Sequence, residues 1–243
     1  MTSPDDASRP VQRPTDAHST AEGLSGTART LHQLCVAAAK ELSASGVGIS
    51  VHTVAGGSGM AAASDQTSER VEELQFTLGE GPCLDAFTSR RPVLAGDLSG
   101  ADAARWPVYA SAAAEQGVRA VFAFPLAVGD ACLGALDVYH VRTGPMSPPA
   151  LAGAATFAAY ATAALLTGQQ LAAPDHAPPG LDHVFASRFE VHQAQGMLTV
   201  QLGVGLEEAL ARLRAHAFAQ GRSLVEVARD VLAGTLVIER DQP

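Results

Sequence analysis

Cysteine is scarce in this chain: Cys35, Cys83 and Cys132 are its three, widely spaced and odd in number. They make no CxxC knuckle and no disulfide framework, and a reducing, cytoplasmic setting suits them. Positive charge is scarce as well, with 16 Lys and Arg against 25 Asp and Glu and a formal net charge of -9. That balance excludes the broad positive field of a general duplex binder, though not a small, shape-specific RNA contact. The N-terminus has no basic segment leading into an apolar core, so a signal peptide is not expected. The most apolar run, 151–166, is interrupted by Gly153, Thr156, Tyr160 and Thr162. It is short for a membrane span and reads as a buried helix, and no membrane association is expected. None of the eight histidines falls in HExxH or pairs with a cysteine at ligand spacing, so no metal is expected. GxSxG, Walker and dinucleotide-binding patterns are missing too, and with them any assembled catalytic set. The chain does not read as an enzyme.

What is present is a large apolar fraction, 47% against 17% charged. It suffices for a sizeable core, and the length accommodates a medium domain with a small one appended. Residues 1–26, with Pro4, Pro10 and Pro14 among polar residues, read as a disordered tail. Leu31, Leu34, Cys35, Ala38 and Leu42 share one face of a helix over 28–42. Strands follow at 47–54 and 60–64, with a hairpin-like turn at 56–59. A short helix over 68–75 is expected to leave Glu72 and Glu73 solvated. Gly79 and Gly81 permit a tight turn, and Pro82 suits the first turn of a helix holding Cys83. Strands are then expected at 91–98, at 118–124 (closed by Pro125, with 126–128 continuing the edge) and at 131–139, with helices at 108–116 and 150–167. This order suggests an antiparallel sheet flanked by helices, an α+β domain of about 27–168. The proline-rich segment 169–180 reads as a linker.

Cys83, at a helix N-terminus, has the position in which dipole and backbone N–H groups can lower a thiol pKa. A small closed turn is the plainer reading of the same residue, with Glu80 as a cap or a solvated acid. Trp106, Tyr109, Phe122, Phe124 and Tyr139 either fill the core or line a small ligand cavity together with Cys83. Beyond the linker, 181–238 carries three amphipathic segments, 188–202, 206–218 and 223–232, with short joins that require the helices to pack on one another. Arg188, Arg212, Arg214, Arg222 and Arg229, with His192, Gln193 and Gln195, offer groups that grip phosphates or meet unpaired bases. Acids at Glu190, Glu207, Glu208, Glu226 and Asp230 also allow ordinary surface pairs.

The pattern Arg188-x-x-Val191-x-x-Ala194-Gln195-Gly196-Met197-Leu198 resembles the first helix of the ANTAR domain. The resemblance continues through Glu207-Glu208-Ala209-Leu210-x-x-Leu213-Arg214 and Ser223-Leu224-x-x-Val227-Ala228. It implies a three-helix module that recognises paired hexanucleotide-loop stem-loops in nascent RNA and favours an antiterminator over a terminator. Arg188 and Arg214 match positions where that family is usually basic, and Arg222 one where it is often basic or an amide; His192 and Gln195 complete the implied RNA face. Gln195 replaces the family's usual lysine, and so keeps hydrogen bonding without charge. The region before the linker resembles the GAF sensory domains that accompany ANTAR in actinobacterial regulators. The matching pieces are Glu73-Leu74-Gln75, Gly79 to Asp85, Arg91-Pro92-Val93, Asp97-Leu98, Arg105-Trp106-Pro107, Gly117-Val118-Arg119 and Gly134-Ala135-Leu136. GAF domains bind cyclic nucleotides, tetrapyrroles or other small molecules, or only dimerise, so the resemblance leaves any cofactor or ligand unspecified. The expected partners are nascent RNA and a second copy of the chain, packed through helices 28–42 and 150–167. A protein partner for the helical module is the alternative.

Overall fold

The computed structural model describes residues 26–52, 58–171 and 181–238, with the side chains of residues 58, 171 and 182–188 excepted. The expected tail, the 56–59 turn up to residue 57 and most of the expected linker lie outside them. Eight α-helices and five strands are described: α1 (Gly26–Glu41), β1 (Gly46–His52), β2 (Ser58–Ala63), α2 (Gln66–Leu78), α3 (Pro82–Ser89), β3 (Val93–Ala95), α4 (Pro107–Glu115), β4 (Ala120–Val128), β5 (Ala131–His140), α5 (Pro148–Leu171), α6 (Asp182–Leu202), α7 (Leu206–Ala219) and α8 (Leu224–Leu232). A 3-10 turn, Ala101–Arg105, precedes α4. The strands form one antiparallel sheet in the order β2-β1-β5-β4-β3.

Strand side chains alternate between sheet faces, and here the two sets enter different cores. Val47, Ile49 and Val51 of β1, Phe122, Phe124 and Leu126 of β4, and Leu136 and Val138 of β5 pack with α1 and α5. Val121, Ala123 and Tyr139 belong to the opposite core, with Val71 of α2, Ala86 of α3, and Trp106 and Tyr109 at α4. Pro125 lies within β4 rather than closing it, paired with Ala135. β3 begins at Val93 opposite Ala123, so Pro125 has a partner strand on one side only, where a missing N–H is tolerated. β3 is also much shorter than the 91–98 expected.

α5 is long and apolar enough to cross a membrane by length and composition, and only 28% of its most apolar window is buried. Ala154, Ala158, Ala161 and Leu165 form its buried stripe against α1 and the sheet. Leu151, Phe157 and Ala164 pack partly buried beside that stripe, so the expectation of a buried helix holds for one face; on the other, Tyr160 is 60% exposed.

The last three helices have their own core of Val191, Ala194, Leu198, Leu202, Ala209, Leu213, Ala217, Leu224, Val227, Ala228 and Val231. Ser223 and Glu226 form a reciprocal capping box at the start of α8, which satisfies two otherwise orphaned N–H groups. Phe76, from α2 of the sheet domain, packs against this core.

Candidate functional site

The polar centre of the molecule lies beneath the sheet face covered by α2, α3 and α4. Asp137 of β5 and Glu72 of α2 are both buried there, with Gln75 one turn further along α2. Gln75 Nε2 donates to Asp137 Oδ2 at 2.7 Å, while its Oε1 accepts the Cys83 N–H at 2.9 Å. Tyr139 OH donates to Glu72 Oε1 at 2.8 Å. Cys83 Sγ lies 3.0 Å from Ser50 Oγ and 3.6 Å from His52 Nε2, and the His52 ring stacks on Phe87 at 4.2 Å. A Cβ on Gly48 would run into the Glu72 carboxyl, so the close approach of α2 to β1 depends on glycine at that position.

Burial, followed by the neighbouring Asp137 charge, pushes Glu72 well above the carboxylate range. Burial also raises Asp137, to about 7. The expectation that Glu72 is solvated is therefore overturned: α2 turns this residue inward, where Tyr139 satisfies it. Cys83 departs from its sequence reading too. It occupies the first turn of α3 as expected, but burial and the two adjacent carboxyls push its thiol up, not down. Glu80 is a cap: its Oε1 accepts the N–H groups of both Val108 and Tyr109 at 2.8 Å.

Of the pocket candidates, Cys83, Tyr109 and Tyr139 meet at this polar centre. Trp106 is buried in the same core, with Arg105 stacked 4.2 Å above its ring. Phe122 and Phe124 point to the opposite face and pack with α1 and α5, because in β4 they alternate with Val121 and Ala123. Glu72, Gln75, Asp137 and Ser50 were not foreseen as site residues. The available signal was Asp137, one acid flanked by Leu136 and Val138 in an otherwise apolar strand.

In the helical module, Gln195 is 9% exposed, and its Nε2 donates to the Leu206 carbonyl at 2.8 Å. Its Oε1 lies 3.3 Å from His192 Nδ1. Gln195 thus ties α6 to the start of α7 and is not a free surface group. Arg222 pairs with Asp230 at 2.7 Å, Arg229 with Glu190 at 2.8 Å and Arg212 with Glu208 at 2.9 Å. Arg188 lies in α6, but its side chain is outside the described set. Arg214 packs over Gly79, the left-handed C-cap of α2, where a Cβ would strike its guanidinium. Its Nε is buried without a hydrogen-bond partner among the described residues, and burial lowers its pKa. Glu73, also on α2, is raised to about 7 by burial, and it accepts a hydrogen bond from the Leu224 N–H at the start of α8. Glu73, Phe76 and Gly79, three positions of α2, thereby dock the helical module on the sheet domain.

The outward face of α6 carries exposed Phe189, His192, Gln193, Met197 and Val200, with open space over Gly196. Phe189 was absent from the sequence-level candidates, although it adjoins Arg188.

The GAF domain profile matches residues 26–166, and the ANTAR domain profile matches residues 181–232. Among solved structures, the chain is similar to the GAF domain from an Acinetobacter phosphoenolpyruvate-protein phosphotransferase, at 13% identity and a TM-score of 0.50, covering 63% of this chain and 90% of that one. It is also similar to a GAF domain region from Geobacter sulfurreducens PCA, at 16% identity and a TM-score of 0.50, covering 58% of this chain and 93% of that one. At these identities the likeness is one of fold. No curated protein matches the chain. The sheet with its helical layers and the three-helix module are the two parts that these profiles describe, and the chain belongs to the GAF domain family, with its sensory domain coupled to an ANTAR domain as in regulators that mediate RNA-binding transcription antitermination.

Proposed function

We propose that this chain is a cytoplasmic, homodimeric antitermination regulator whose ANTAR module binds paired stem-loops in nascent RNA under control of the GAF domain. The observation that carries this reading is the ANTAR match at 181–232, on three helices whose first presents an open face at Gly196. Phe189 offers a stacking surface for unpaired loop bases, with His192 and Gln193 as hydrogen-bonding groups beside it. Arg188, Arg214 and Arg222 supply the phosphate contacts, and Gln195 braces the helix that presents them. Arg214 is held at the α2 cap in this structure, so its use on RNA requires the module to shift away from Gly79. Signal and output are then coupled through α2, which faces the polar centre with Glu72 and Gln75 and the module with Glu73 and Phe76.

The dimer forms through α1 and α5. Tyr160 of α5 is 60% exposed and Val36 of α1 46% exposed, and only 28% of the most apolar window of α5 is buried. Two modules engaging two stem-loops gain through effective concentration. The test is titration of full-length chain into RNA bearing two hexanucleotide-loop stem-loops, with light scattering to establish its mass. Saturable binding by a dimer, weakened in Arg188→Ala and Arg214→Ala of unchanged fold, is expected. A dimer that binds no such RNA at low salt overturns the reading.

The arginine–carboxylate pairs at Arg212, Arg222 and Arg229 favour a second reading, in which the module docks a protein partner. A stable protein complex recovered without RNA enrichment would support it.

A further inference from the structure

Glu72, Cys83 and Asp137 come from α2, α3 and β5, and one donor atom of each lies within 4.8 Å of the other two. All three residues are buried, and no Lys or Arg is among the charged groups acting on them. The hydroxyl of Tyr109 is buried here without a hydrogen-bond partner among the described residues, and Asp137, besides Gln75 and Tyr139, has the raised Glu72 carboxyl as its hydrogen-bond partner. Tyr109 is fully buried and close enough to Asp137, Glu72 and Cys83 to feel their charges. A buried hydroxyl without a partner is costly, and one set beside two carboxyls and a thiol marks a place prepared for an occupant.

We propose that Glu72, Asp137 and Cys83 bind a single first-row divalent cation of borderline softness, iron(II) or zinc(II), in the interior of the GAF domain. Metal–ligand distances of about 2.0–2.3 Å put donors bound to one ion roughly 3–4.6 Å apart, so a small closing movement suffices. The ion takes the place of the hydrogen bond between the Glu72 and Asp137 carboxyls. A thiolate with two carboxylates disfavours calcium and magnesium, which take oxygen ligands, and suits iron or zinc. The surroundings orient the donors: Gln75 holds Asp137 Oδ2 and the Cys83 backbone together, and Tyr139 fixes Glu72. Gly48 leaves room for the Glu72 carboxyl. His52 stands beside the thiol as a neighbouring nitrogen donor. Occupancy of this site bears directly on α2, the helix on which the ANTAR module rests, so the ion is an input to the sensor.

The test uses full-length protein freed of metal by chelation and titrated with cobalt(II), with circular dichroism to establish folding. The expected result is one cobalt per chain and a near-ultraviolet thiolate-to-cobalt band, both displaced by zinc(II). Cys83→Ser abolishes the band, Asp137→Asn lowers affinity at least tenfold, and Cys132→Ser changes neither. Folded wild-type chain that shows no saturable band, or a band that survives Cys83→Ser, overturns the proposal. The wild-type titration decides even where a variant fails to fold. RNA binding enters neither measurement, so failure here is distinguishable from failure of the antitermination reading.

Discussion

The two faces of the sheet are made by the same strands yet carry different chemistry. Against α1 and α5, β1, β4 and β5 present Val47, Ile49, Phe122, Phe124, Leu136 and Val138. Against α2, α3 and α4, the alternate positions bring Ser50, Asp137 and Tyr139 to Glu72, Gln75 and Cys83. One face gains stability by burying apolar area at little directional cost. The other buries carboxyls whose charged forms are disfavoured and holds them by specific hydrogen bonds. Such a network adds little net stability, but it is sensitive to whatever enters it. The apolar face is therefore the scaffold side, and the polar face is the side to which the proposal above assigns sensing.

Five variants of the metal-free protein sharpen this contrast. The largest effect is expected from Ile49→Ala, which opens a cavity under α1 and should cost about 2–5 kcal/mol in chemical denaturation. A loss below that of the polar-face variants would break the assignment of the scaffold role. Tyr139→Phe removes the donor to Glu72 and should cost about 1–3 kcal/mol, because a buried acceptor loses its partner. Tyr109→Phe is the control on the same face: its hydroxyl has no partner among the described residues, so the variant should be neutral or slightly more stable. Equal losses in the two tyrosine variants would refute the network described here.

Gly79→Ala tests how the sensing face reaches the module. A Cβ there meets Arg214, and the left-handed backbone disfavours any side chain by about 1–2 kcal/mol. Faster amide exchange throughout 190–232 is expected, with β1 and β5 unchanged; uniform acceleration would mean that the module does not depend on this contact. The smallest expected loss concerns Asp65, the N-cap of α2, whose side chain accepts the N–H groups of Thr67 and Ser68. Asp65→Ala should cost about 1 kcal/mol. Burial works to raise the Asp65 pKa, and hydrogen bonds from Ser64, Ser68 and Thr67 outweigh it, so the carboxyl titrates below its ordinary 3.8. Its contribution is then present above pH 3.8 and lost as pH falls through the lower folded value. Wild type should lose its advantage over Asp65→Ala only in that acid range, as melting curves against pH will show.

Local pattern made much of this legible. Helical spacing in 28–42 and in the last three segments, and alternating character in 47–54, place most elements near their observed positions. Pro82 starts α3 as its sequence position suggests, and of the two readings of Glu80 the structure selects the cap. Two kinds of error share one cause. Glu72 was taken as solvated because α2 is short and two adjacent glutamates resemble a surface, yet one helical step of 100° separates an inward residue from one that reaches α8. Phe122 and Phe124 were grouped with Tyr139 by type, although strand parity sends them to opposite faces.

The sequence by itself determined the order of elements, the apolar stripes, the caps and the two family patterns, because each depends on residues within a few positions of one another. The tertiary structure alone decided that Gln75 meets Asp137 across 62 residues, that Cys83 is buried beside two carboxyls, and that Arg214 rests on Gly79. Those contacts arise from which faces pack together, and faces are matched by burial and shape across the whole chain, a choice that no local spacing encodes.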